Sequence, residues 1–273
     1  MDTFKDKVAI VTGGASGIGR ALCEALAERG AAVKVADIDL QGAQRAASAI
    51  EAAGGRAVAV GLDVTRNEDV LRVVEETARE SGRLDFLFNN AGIAVGGEAR
   101  DVDIEHWRRV IDVDLWGVIN GSLAAYPLMV RQGAGHIVNT ASLAGLMPAP
   151  LEISYTVSKY GVVGFSKALR AEGAELGVRV SVVCPGLIRT GIYETTPFLK
   201  VDKAGFLKKI PERLKMDAGV AARVILRGVA SNRAVIVVTF HAKVLWWIER
   251  FFPSILFFLA LKGIREFRLL RRE

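Results

Sequence analysis

The amino-acid sequence predicts an α/β protein whose parallel sheet is covered by helices on both faces. Short apolar runs rich in β-branched residues alternate with helical patterns of about 15 residues, as buried strands and their crossover helices do. A glycine-rich turn joins the first apolar run to the first helical pattern. The length of 273 residues suits one domain of this kind.

Seven apolar runs have the length and composition of buried strands. They cover residues 7–12, 32–37, 56–62, 84–89, 135–140, 178–183 and 234–239. Helical patterns separate them, the first opening after Gly19 and the others covering residues 40–53, 67–81, 104–128, 153–173 and 217–230. We expect Pro127 to end the fourth helix, because proline lacks the helical N–H and clashes with the preceding turn.

The turn after the first strand has the residue types of a nucleotide-binding site. Gly13, Gly17 and Gly19 let the backbone approach a pyrophosphate, and the following helix offers free N–H groups and its positive dipole end. The spacing differs from Gly-x-Gly-x-x-Gly, and three glycines can also form a tight turn that binds nothing. The flanking strand and helix favour the nucleotide site.

Asp37, at the end of the second strand, bears on the choice of cofactor. A carboxylate at this point can accept hydrogen bonds from the adenosine ribose hydroxyls, and it repels a 2′-phosphate. No Lys or Arg lies between Gly13 and Ile18 to offset that charge. The residues therefore favour NAD(H) over NADP(H).

Tyr155 and Lys159 lie four residues apart in a predicted helix, which places both side chains on one face. An ammonium beside a phenol favours the phenolate. It lowers the pKa of the phenol from about 10 towards neutrality, where the hydroxyl can act as a general acid or base. The same pair also occurs by chance on surface helices, so its meaning depends on the other motifs.

These motifs, in this order, resemble the short-chain dehydrogenase/reductase family over about residues 5–240. Residues 12–19 resemble the family's cofactor turn, residues 89–92 its Asn-Asn-Ala-Gly element, and residues 185–186 the segment that holds the nicotinamide carboxamide. The resemblance implies a doubly wound, seven-stranded Rossmann sheet with strand order 3-2-1-4-5-6-7. It also implies hydride transfer between NAD(H) and a secondary alcohol or ketone.

The resemblance implies which residues form the site. Tyr155 would exchange a proton with the substrate, Lys159 would lower the Tyr155 pKa and bind the nicotinamide ribose, and Ser142 would donate to the substrate oxygen. The residues expected to contact the cofactor are Gly13, Ser16, Gly17, Ile18, Gly19, Asp37, Asp63, Val64, Asn90, Ala91, Gly92, Tyr155, Lys159, Pro185, Gly186, Ile188 and Thr190.

Asp114 stands where the family usually has an asparagine, whose main-chain carbonyl holds a water that links the lysine to solvent. Asp114 is therefore either a fourth catalytic residue acting through its backbone, or a helix-interior acid that bonds a nearby backbone group. Its negative charge would stabilise protonated Lys159 and reduce the effect of Lys159 on Tyr155.

Residues 191–216 lack strand patterns and suggest a mobile lid over the substrate. We expect the substrate pocket to include residues 94–96, 143–151, 187 and 191–214. The apolar residues of the lid favour a lipophilic alcohol or ketone that resembles a steroid, a terpenoid or an aromatic compound. Alternatively, these residues pack on the body of the protein or on another subunit.

Residues 241–273 form a C-terminal helical extension beyond a single domain of residues 1–240. The charge-free run 251–261 is too short to cross a bilayer. From Pro253 onward, one helix face carries Leu256, Leu259, Phe267 and Leu270, and the other carries Lys262, Arg265, Arg268 and Arg272. The extension either lies in a membrane interface or forms an arm against a neighbouring subunit.

The overall composition limits the remaining classes of function. The net charge is +6, and the excess of cations clusters in residues 200–215 and after residue 261. No nucleic-acid-binding motif accompanies these cations, so we expect no nucleic-acid partner. The two cysteines are far apart in apolar contexts, and no signal peptide precedes the first strand, which favours a reducing cytoplasm. The three histidines are isolated, so we expect no metal site.

The sequence thus predicts an NAD-dependent alcohol dehydrogenase or ketoreductase, and the family resemblance implies a homodimer or homotetramer. The alternative function is a nucleotide-binding sensor or scaffold with weak turnover, and Asp114 is the sole residue that supports it. Membrane contact through the extension is compatible with either function.

Overall fold

The computed structural model describes residues 2–208 and 210–271. Its main sheet has seven parallel strands in the order β3-β2-β1-β4-β5-β6-β9. The strands are β1 Val8–Thr12, β2 Ala32–Asp37, β3 Arg56–Gly61, β4 Phe86–Asn89, β5 Gly135–Thr140, β6 Val178–Cys184 and β9 Val235–Val237. Two short strands, β7 Ile188–Arg189 and β8 Met216–Asp217, pair separately. The predicted doubly wound topology is confirmed.

Helices cover both faces of this sheet. They are α1 Gly17–Ala27, α2 Leu40–Ala52, α3 Asn67–Ser81, α4 Ile104–Ile111, α5 Gly117–Gln132, α6 Ile153–Gly173, α7 Ile192–Thr195, α8 Lys203–Lys208, α9 Ala218–Ala230, α10 Phe240–Phe251 and α11 Pro253–Arg268. One apolar core joins α1, α2 and α9 to one face, and a second joins α3, α5 and α6 to the other. Because both faces are buried, the central strands are continuously apolar, as the sequence indicated.

The segment from α4 to α5 departs from the prediction. Residues Asp112–Trp116 form a π-helical turn between the two helices. Pro127 does not end α5, which continues to Gln132 and closes on Gly133 in the left-handed conformation. One missing hydrogen bond is tolerated here, because Ala125 and Met129 are buried against the sheet on either side of Pro127.

Residues Ile104–Gln132 are together long and apolar enough to cross a membrane. The same residues pack on α3, β4 and β5, so this run is a core helix of the domain. Helices α10 and α11 also pass the test as a pair, but their axes differ by 117° at the break between them.

The C-terminal extension folds back onto its own chain. Phe267 is 2 % exposed and contacts the ring of Phe206 edge-on, with the ring centroids 5.8 Å apart. Arg268 and Arg271 form ion pairs with Glu98 and Asp101 in the loop before α4. The prediction of an apolar face on α11 is only partly correct. Leu256 and Phe267 are buried, Leu259 is 56 % exposed, and Arg272 lies outside the described residues.

Candidate active site

A cavity of about 760 Å³ lies beyond the carboxyl ends of the central strands. Such an edge is where open parallel sheets bind ligands. Every residue predicted to contact the cofactor lines this cavity except Gly19. Gly19 is instead required for packing, because a Cβ there would lie 2.0 Å from the carbonyl oxygen of Gly13.

The glycine turn has the backbone conformation that its sequence requires. Gly13 and Gly17 have φ angles of +66° and +54°, which residues with a side chain rarely adopt. Ser16 precedes α1 without capping it, and the first turn of that helix carries no acidic side chain. The helix therefore presents uncapped N–H groups beside the cavity, an arrangement that suits a pyrophosphate.

Asp37 lies at the opposite end of the cavity from the tyrosine. Its carboxylate accepts hydrogen bonds from the backbone N–H groups of Ala15 and Asp39, each at 3.0 Å. Ile38 is 75 % exposed and lines the same end of the cavity, where a 2′-phosphate would need a cation. Asp63, Val64 and Thr65 complete the lining there. This end thus combines the carboxylates of Asp37 and Asp63 with apolar surface.

The Asn-Asn-Ala-Gly element fastens three strands together at the cavity edge. Asn89 Nδ2 donates to Asn139 Oδ1 at 2.9 Å, which joins the ends of β4 and β5. The backbone N–H groups of Asn90 and Ala91 donate to Thr12 Oγ1 at 2.9 and 3.0 Å, which joins β4 to β1. These bonds position the strand ends that line the cavity.

Asp114 and Lys159 form a buried ion pair beneath the cavity. Asp114 Oδ2 lies 3.0 Å from Lys159 Nζ, although no well-aligned hydrogen-bond donor reaches Oδ2 within the described part of the chain. Asp114 Oδ1 accepts from the Ile93 N–H at 2.8 Å, and Lys159 Nζ donates to the Thr140 carbonyl at 3.2 Å. Burial raises the pKa of Asp114, and the Lys159 ammonium opposes that rise. The Asp114 side chain thus bonds a backbone group and also compensates Lys159.

Tyr155 and Ser142 face the cavity on the side of Lys159. The Lys159 ammonium lies 5.3 Å from the centroid of the Tyr155 ring. Burial and the Asp114 carboxylate raise the pKa of Tyr155 well above 10, whereas the Ser142 hydroxyl lowers it. This direction is opposite to the expected one, because burial disfavours the charged phenolate and the Asp114 carboxylate adds to that effect.

The segment from Pro185 to Thr190 forms another wall of the cavity, and His241 supports it. The backbone N–H of Leu187 donates to His241 Nε2 at 3.2 Å. A Cβ at Gly186 would lie 2.5 Å from the same nitrogen, so a glycine is needed there. Sequence reasoning missed the supporting role of His241, because the contact joins residues 54 positions apart.

The substrate end of the cavity is smaller than predicted. Ala94, Leu187, Gly191, Ile192 and Tyr193 line it as expected. Phe198 and Phe206 do not line it, because their rings contact each other, with centroids 5.0 Å apart, and Phe206 also contacts Phe267. Of the predicted residues 143–151, none lines it, but the next residue, Glu152, does. Some apolar residues of the lid therefore line the cavity, and others pack on the chain itself.

Comparison with known proteins identifies the family. The family model described as short chain dehydrogenase matches residues 7–197, which include the glycine turn, Asp114, Ser142, Tyr155 and Lys159. The chain belongs to the short-chain dehydrogenase family. It is accordingly an oxidoreductase with the Rossmann-type fold of that family.

Relatives of this short-chain dehydrogenase cover between 75 % and 98 % of the chain. The oxidoreductase SadH of Mycobacterium tuberculosis is 35 % identical over 271 residues, 98 % of each chain. The cyclohexanol dehydrogenase of Acinetobacter sp. strain SE19 is 40 % identical over 210 residues, 75 % of this chain and 83 % of that one. A short-chain dehydrogenase/reductase from Burkholderia phymatum, solved in complex with NAD, has a TM-score of 0.85 at 28 % identity, covering 94 % of this chain and 97 % of that one.

Proposed function

We propose that this short-chain dehydrogenase transfers a hydride between NAD(H) and a lipophilic secondary alcohol or ketone. The observation that carries this proposal is the position of Ser142, Tyr155 and Lys159 along one wall of the cavity whose other end holds Asp37 and the glycine turn. A cofactor extended between these ends would have its reactive end beside the tyrosine.

The residues fit NAD better than NADP. The uncapped start of α1 would hold the pyrophosphate, Asp37 the adenosine ribose, and Lys159 the nicotinamide ribose. Asp37 already accepts two backbone hydrogen bonds, which hold its charge in place, and Ile38 offers no positive charge to a 2′-phosphate. The structure of the Burkholderia relative was solved with NAD, which agrees with this choice. When bound, NAD would supply the hydride chemistry.

The protein's own residues would move the proton. In oxidation, Tyr155 would accept the substrate hydroxyl proton, and in reduction it would return that proton to the carbonyl oxygen. Ser142 would donate a hydrogen bond to the substrate oxygen. Because burial and Asp114 raise the pKa of Tyr155, the phenol keeps its proton at neutral pH, and oxidation requires its loss. We therefore expect oxidation to become faster as pH rises.

The substrate end suits a compact lipophilic alcohol. Ile93, Leu187, Ile192 and the ring of Tyr193 surround it with apolar surface. Cyclohexanol, the substrate that names the Acinetobacter relative, is a neutral cyclic secondary alcohol of matching character. We propose that residues 191–216 act as the lid of this pocket, since the segment bridges to the loop at Gly96 through Phe198.

A panel of secondary alcohols tests the proposal. NADH formation is measured with cyclohexanol, steroid, terpenoid and aromatic alcohols, in parallel with NADP. We expect turnover with at least one class and a preference for NAD. The competing function, an NAD-binding sensor with weak turnover, would give saturable NADH binding without NADH formation. If the protein neither binds NADH nor forms it, both the dehydrogenase function and the sensor function are wrong.

We also propose a membrane contact for α10 and α11. Phe240, Val244, Trp247 and Phe251 recur at helical spacing along one stripe of α10. Phe240 is 81 % exposed and Trp247 is 59 % exposed. On α11 and at the bend before it, the exposed apolar side chains are Phe252, Ile255, Phe257, Phe258 and Leu259. Exposed apolar side chains gathered in one place mark a contact surface.

The charges near this surface favour a bilayer over a second copy of the chain. Lys243, Arg250, Lys262 and Arg265 are exposed on the same two helices. Two-fold pairing of this surface would bring like charges towards each other, whereas anionic lipid headgroups would neutralise them. A pair of helices bent by 117° can place its corner in the headgroup region without spanning the bilayer.

Vesicle pelleting tests the membrane contact. We expect the protein to bind vesicles containing phosphatidylglycerol more strongly than vesicles of phosphatidylcholine alone. Replacing Trp247, Phe251 and Phe258 by serine should abolish the binding, whereas replacing Leu71 and Leu176, which are exposed elsewhere on the surface, should not. Equal pelleting of both variants would contradict the proposal. A change of oligomeric state in the first variant would point to a second copy instead.

A second group of exposed apolar side chains lies on and beside α5 and α6. Exposed Trp116, Leu123, Val157 and Tyr160 on and beside α5 and α6 offer an apolar surface for the expected homodimer or homotetramer. Sedimentation analysis checks this assembly. We propose a cytoplasmic location with peripheral membrane contact. We likewise propose residues 1–240 as the catalytic domain, with the extension beginning close to the start of α10.

A further inference from the structure

Glu152 is an acidic side chain that lines the cavity close to Tyr155, and the proposed mechanism leaves it unused. It immediately precedes α6, three residues before Tyr155. Its carboxyl does not cap the helix. It lines the cavity together with Tyr155 and Tyr193, and its charge raises the pKa of both phenols. Glu152 therefore lies at the substrate end of the cavity, away from Asp37.

The Glu152 carboxyl has no partner of its own. Within residues 2–208 and 210–271, neither a hydrogen-bond donor nor a cation pairs with it. The side chain keeps partial exposure because it faces the cavity, yet it lies deep enough for desolvation to raise its pKa to about 7. A partly buried carboxyl without partners carries a free-energy cost, which a hydrogen-bond donor or a cation entering the cavity would reduce.

The surroundings of Glu152 identify that partner as a group on the substrate. Lys159, the nearest buried cation in the site, is already paired with Asp114 and bonded to Thr140. The other side chains at this end include Ile192 and Leu187, which offer no donor. The hydroxyls of Tyr155 and Tyr193 and the guanidinium groups of Arg108 and Arg109 also line the cavity, but none of them pairs with Glu152 within the described residues. The Glu152 carboxyl is therefore left open to a donor on the bound molecule.

We propose that Glu152 determines substrate specificity by binding a hydroxyl or ammonium group that the alcohol substrate carries away from its reacting carbon. The proposal rests on the dehydrogenase function proposed above and makes it more specific. Glu152 would favour substrates with such a second polar group, and it would disfavour substrates with a carboxylate in the same place. The preferred substrate class is thus a cyclic secondary alcohol with a neutral donor or a cation on its far side.

Matched cyclohexanols test this proposal. The parent and Glu152→Gln are compared on cyclohexanol, 1,4-cyclohexanediol, 4-aminocyclohexanol and 4-hydroxycyclohexanecarboxylate, at pH 8. Each second substituent changes the charge or the hydrogen-bonding capacity and leaves the ring unchanged. We expect the parent to prefer 4-aminocyclohexanol over the carboxylate in kcat/KM. In E152Q that ratio should fall by about tenfold or more, since a charge-assisted hydrogen bond is lost and a repulsion is removed.

A control separates specificity from a general change of charge. Glu194 lies on α7 in the lid, exposed and outside the cavity lining. Glu194→Gln removes the same charge and should leave the ratio unchanged. If E152Q retained the parent ratio, or if both variants changed it equally, the proposal would be wrong. If E152Q changed the rate with every alcohol by one common factor, Glu152 would act on Tyr155 alone, and the proposal would also be wrong.

Failure of the dehydrogenase proposal can be distinguished from failure of this one. If the parent forms no NADH with any alcohol, binding of 4-aminocyclohexanol and cyclohexanecarboxylate is measured by calorimetry with NAD present. Weaker binding of the amine to E152Q than to the parent would still support the role of Glu152. Equal binding of both compounds to both proteins would overturn it.

Discussion

The Asp114 carboxylate lies 3.0 Å from the Lys159 ammonium, and both side chains are almost completely buried. A buried pair of this kind contributes little net stability, yet removing one partner leaves an uncompensated charge. Tyr155, above this pair, experiences both charges, and its pKa is raised. The charge balance beneath the tyrosine therefore depends on a carboxylate where the family usually carries an amide.

Asp114→Asn should lower the free energy of unfolding by about 3–5 kcal/mol, because Lys159 then lacks a counter-charge. Lys159→Met should have a similar cost, and the double variant should cost less than the sum of the two. Urea unfolding of all four proteins measures the coupling. Asp112→Asn, an exposed position in the same π turn, should change stability by less than about 0.5 kcal/mol. Additive costs would show that the pair is not coupled.

Tyr155→Phe should abolish alcohol oxidation and leave NADH binding nearly intact, because only the exchangeable proton is removed. Proton transfer by a positioned side chain contributes typically about 10²–10⁴-fold to a rate. Steady-state turnover and NADH fluorescence titration separate the two effects. Tyr160→Phe, on the exposed side of the same helix, serves as the control. A Y155F variant that keeps a tenth of the parent rate would contradict the assignment.

Asp37→Asn should reduce the preference for NAD over NADP by about tenfold, equivalent to about 1.4 kcal/mol. The asparagine loses the charge that repels a 2′-phosphate but keeps one acceptor oxygen for the backbone N–H of Ala15. The ratio of kcat/KM for the two cofactors measures the change. Asp39→Asn keeps its helix-capping bond to Gly42 and should not alter that ratio. An unchanged ratio in D37N would mean that Asp37 does not select the cofactor.

His136 should make the protein less stable in acid. It is buried in β5 with Nε2 2.8 Å from Ser181 Oγ, and burial lowers its pKa from 6.5 to about 3. Between these two values the unfolded chain binds a proton that the folded chain excludes, so the free energy of unfolding falls as pH decreases through this window.

Urea unfolding at pH 7 and pH 5 measures this decrease in the free energy of unfolding. His136→Asn should show a smaller decrease than the parent, because the titrating group is gone. His106→Asn, at a partly exposed position, should retain the parent's pH dependence. Equal decreases in H136N and the parent would assign the acid sensitivity to other groups.

Phe267→Ala should lower the local stability of the lid as well as that of the extension. Phe267 is 2 % exposed and packs on Phe206, whose ring in turn contacts the ring of Phe198. Removing the ring should cost about 3–5 kcal/mol of local stability. Hydrogen exchange should then become faster in residues 198–208. Phe258→Ala, on the same helix but 69 % exposed, should leave exchange there unchanged. Equal protection in both variants would mean that the extension does not support the lid.

The seven strands could be predicted, because burial on both faces leaves a continuous apolar run that is visible in the sequence. Their order was implied by the family resemblance and not by the apolar runs. The glycine turn was predictable for a similar reason, since a positive φ angle restricts the residue type at Gly13 and Gly17. In both cases a local physical requirement determines the residue.

The features that the sequence did not indicate depend on contacts between distant residues. A π turn differs from an α turn by its hydrogen-bond partners and not by its residue types, so residues 112–116 still have a helical pattern. That no group in the described part of the chain pairs with Glu152 is a property of the folded cavity. The edge-on contact of Phe206 with Phe267 joins the lid to the extension across 61 residues of sequence, so the sequence alone left open whether the lid's apolar residues contact the substrate or pack on the chain.

The π turn at Asp112–Trp116 means that the chain carries one residue more here than a regular helix would need. Each residue of an α-helix advances the chain by about 100° around its axis, so this surplus fixes which side chain meets Lys159. Deleting a single residue between 112 and 116 would restore regular α-helical hydrogen bonding. It would also rotate the Asp114 side chain away from Lys159. Proteins of this family that differ by such a deletion would differ in the charge beneath their tyrosine, even where their aligned sequences are otherwise similar.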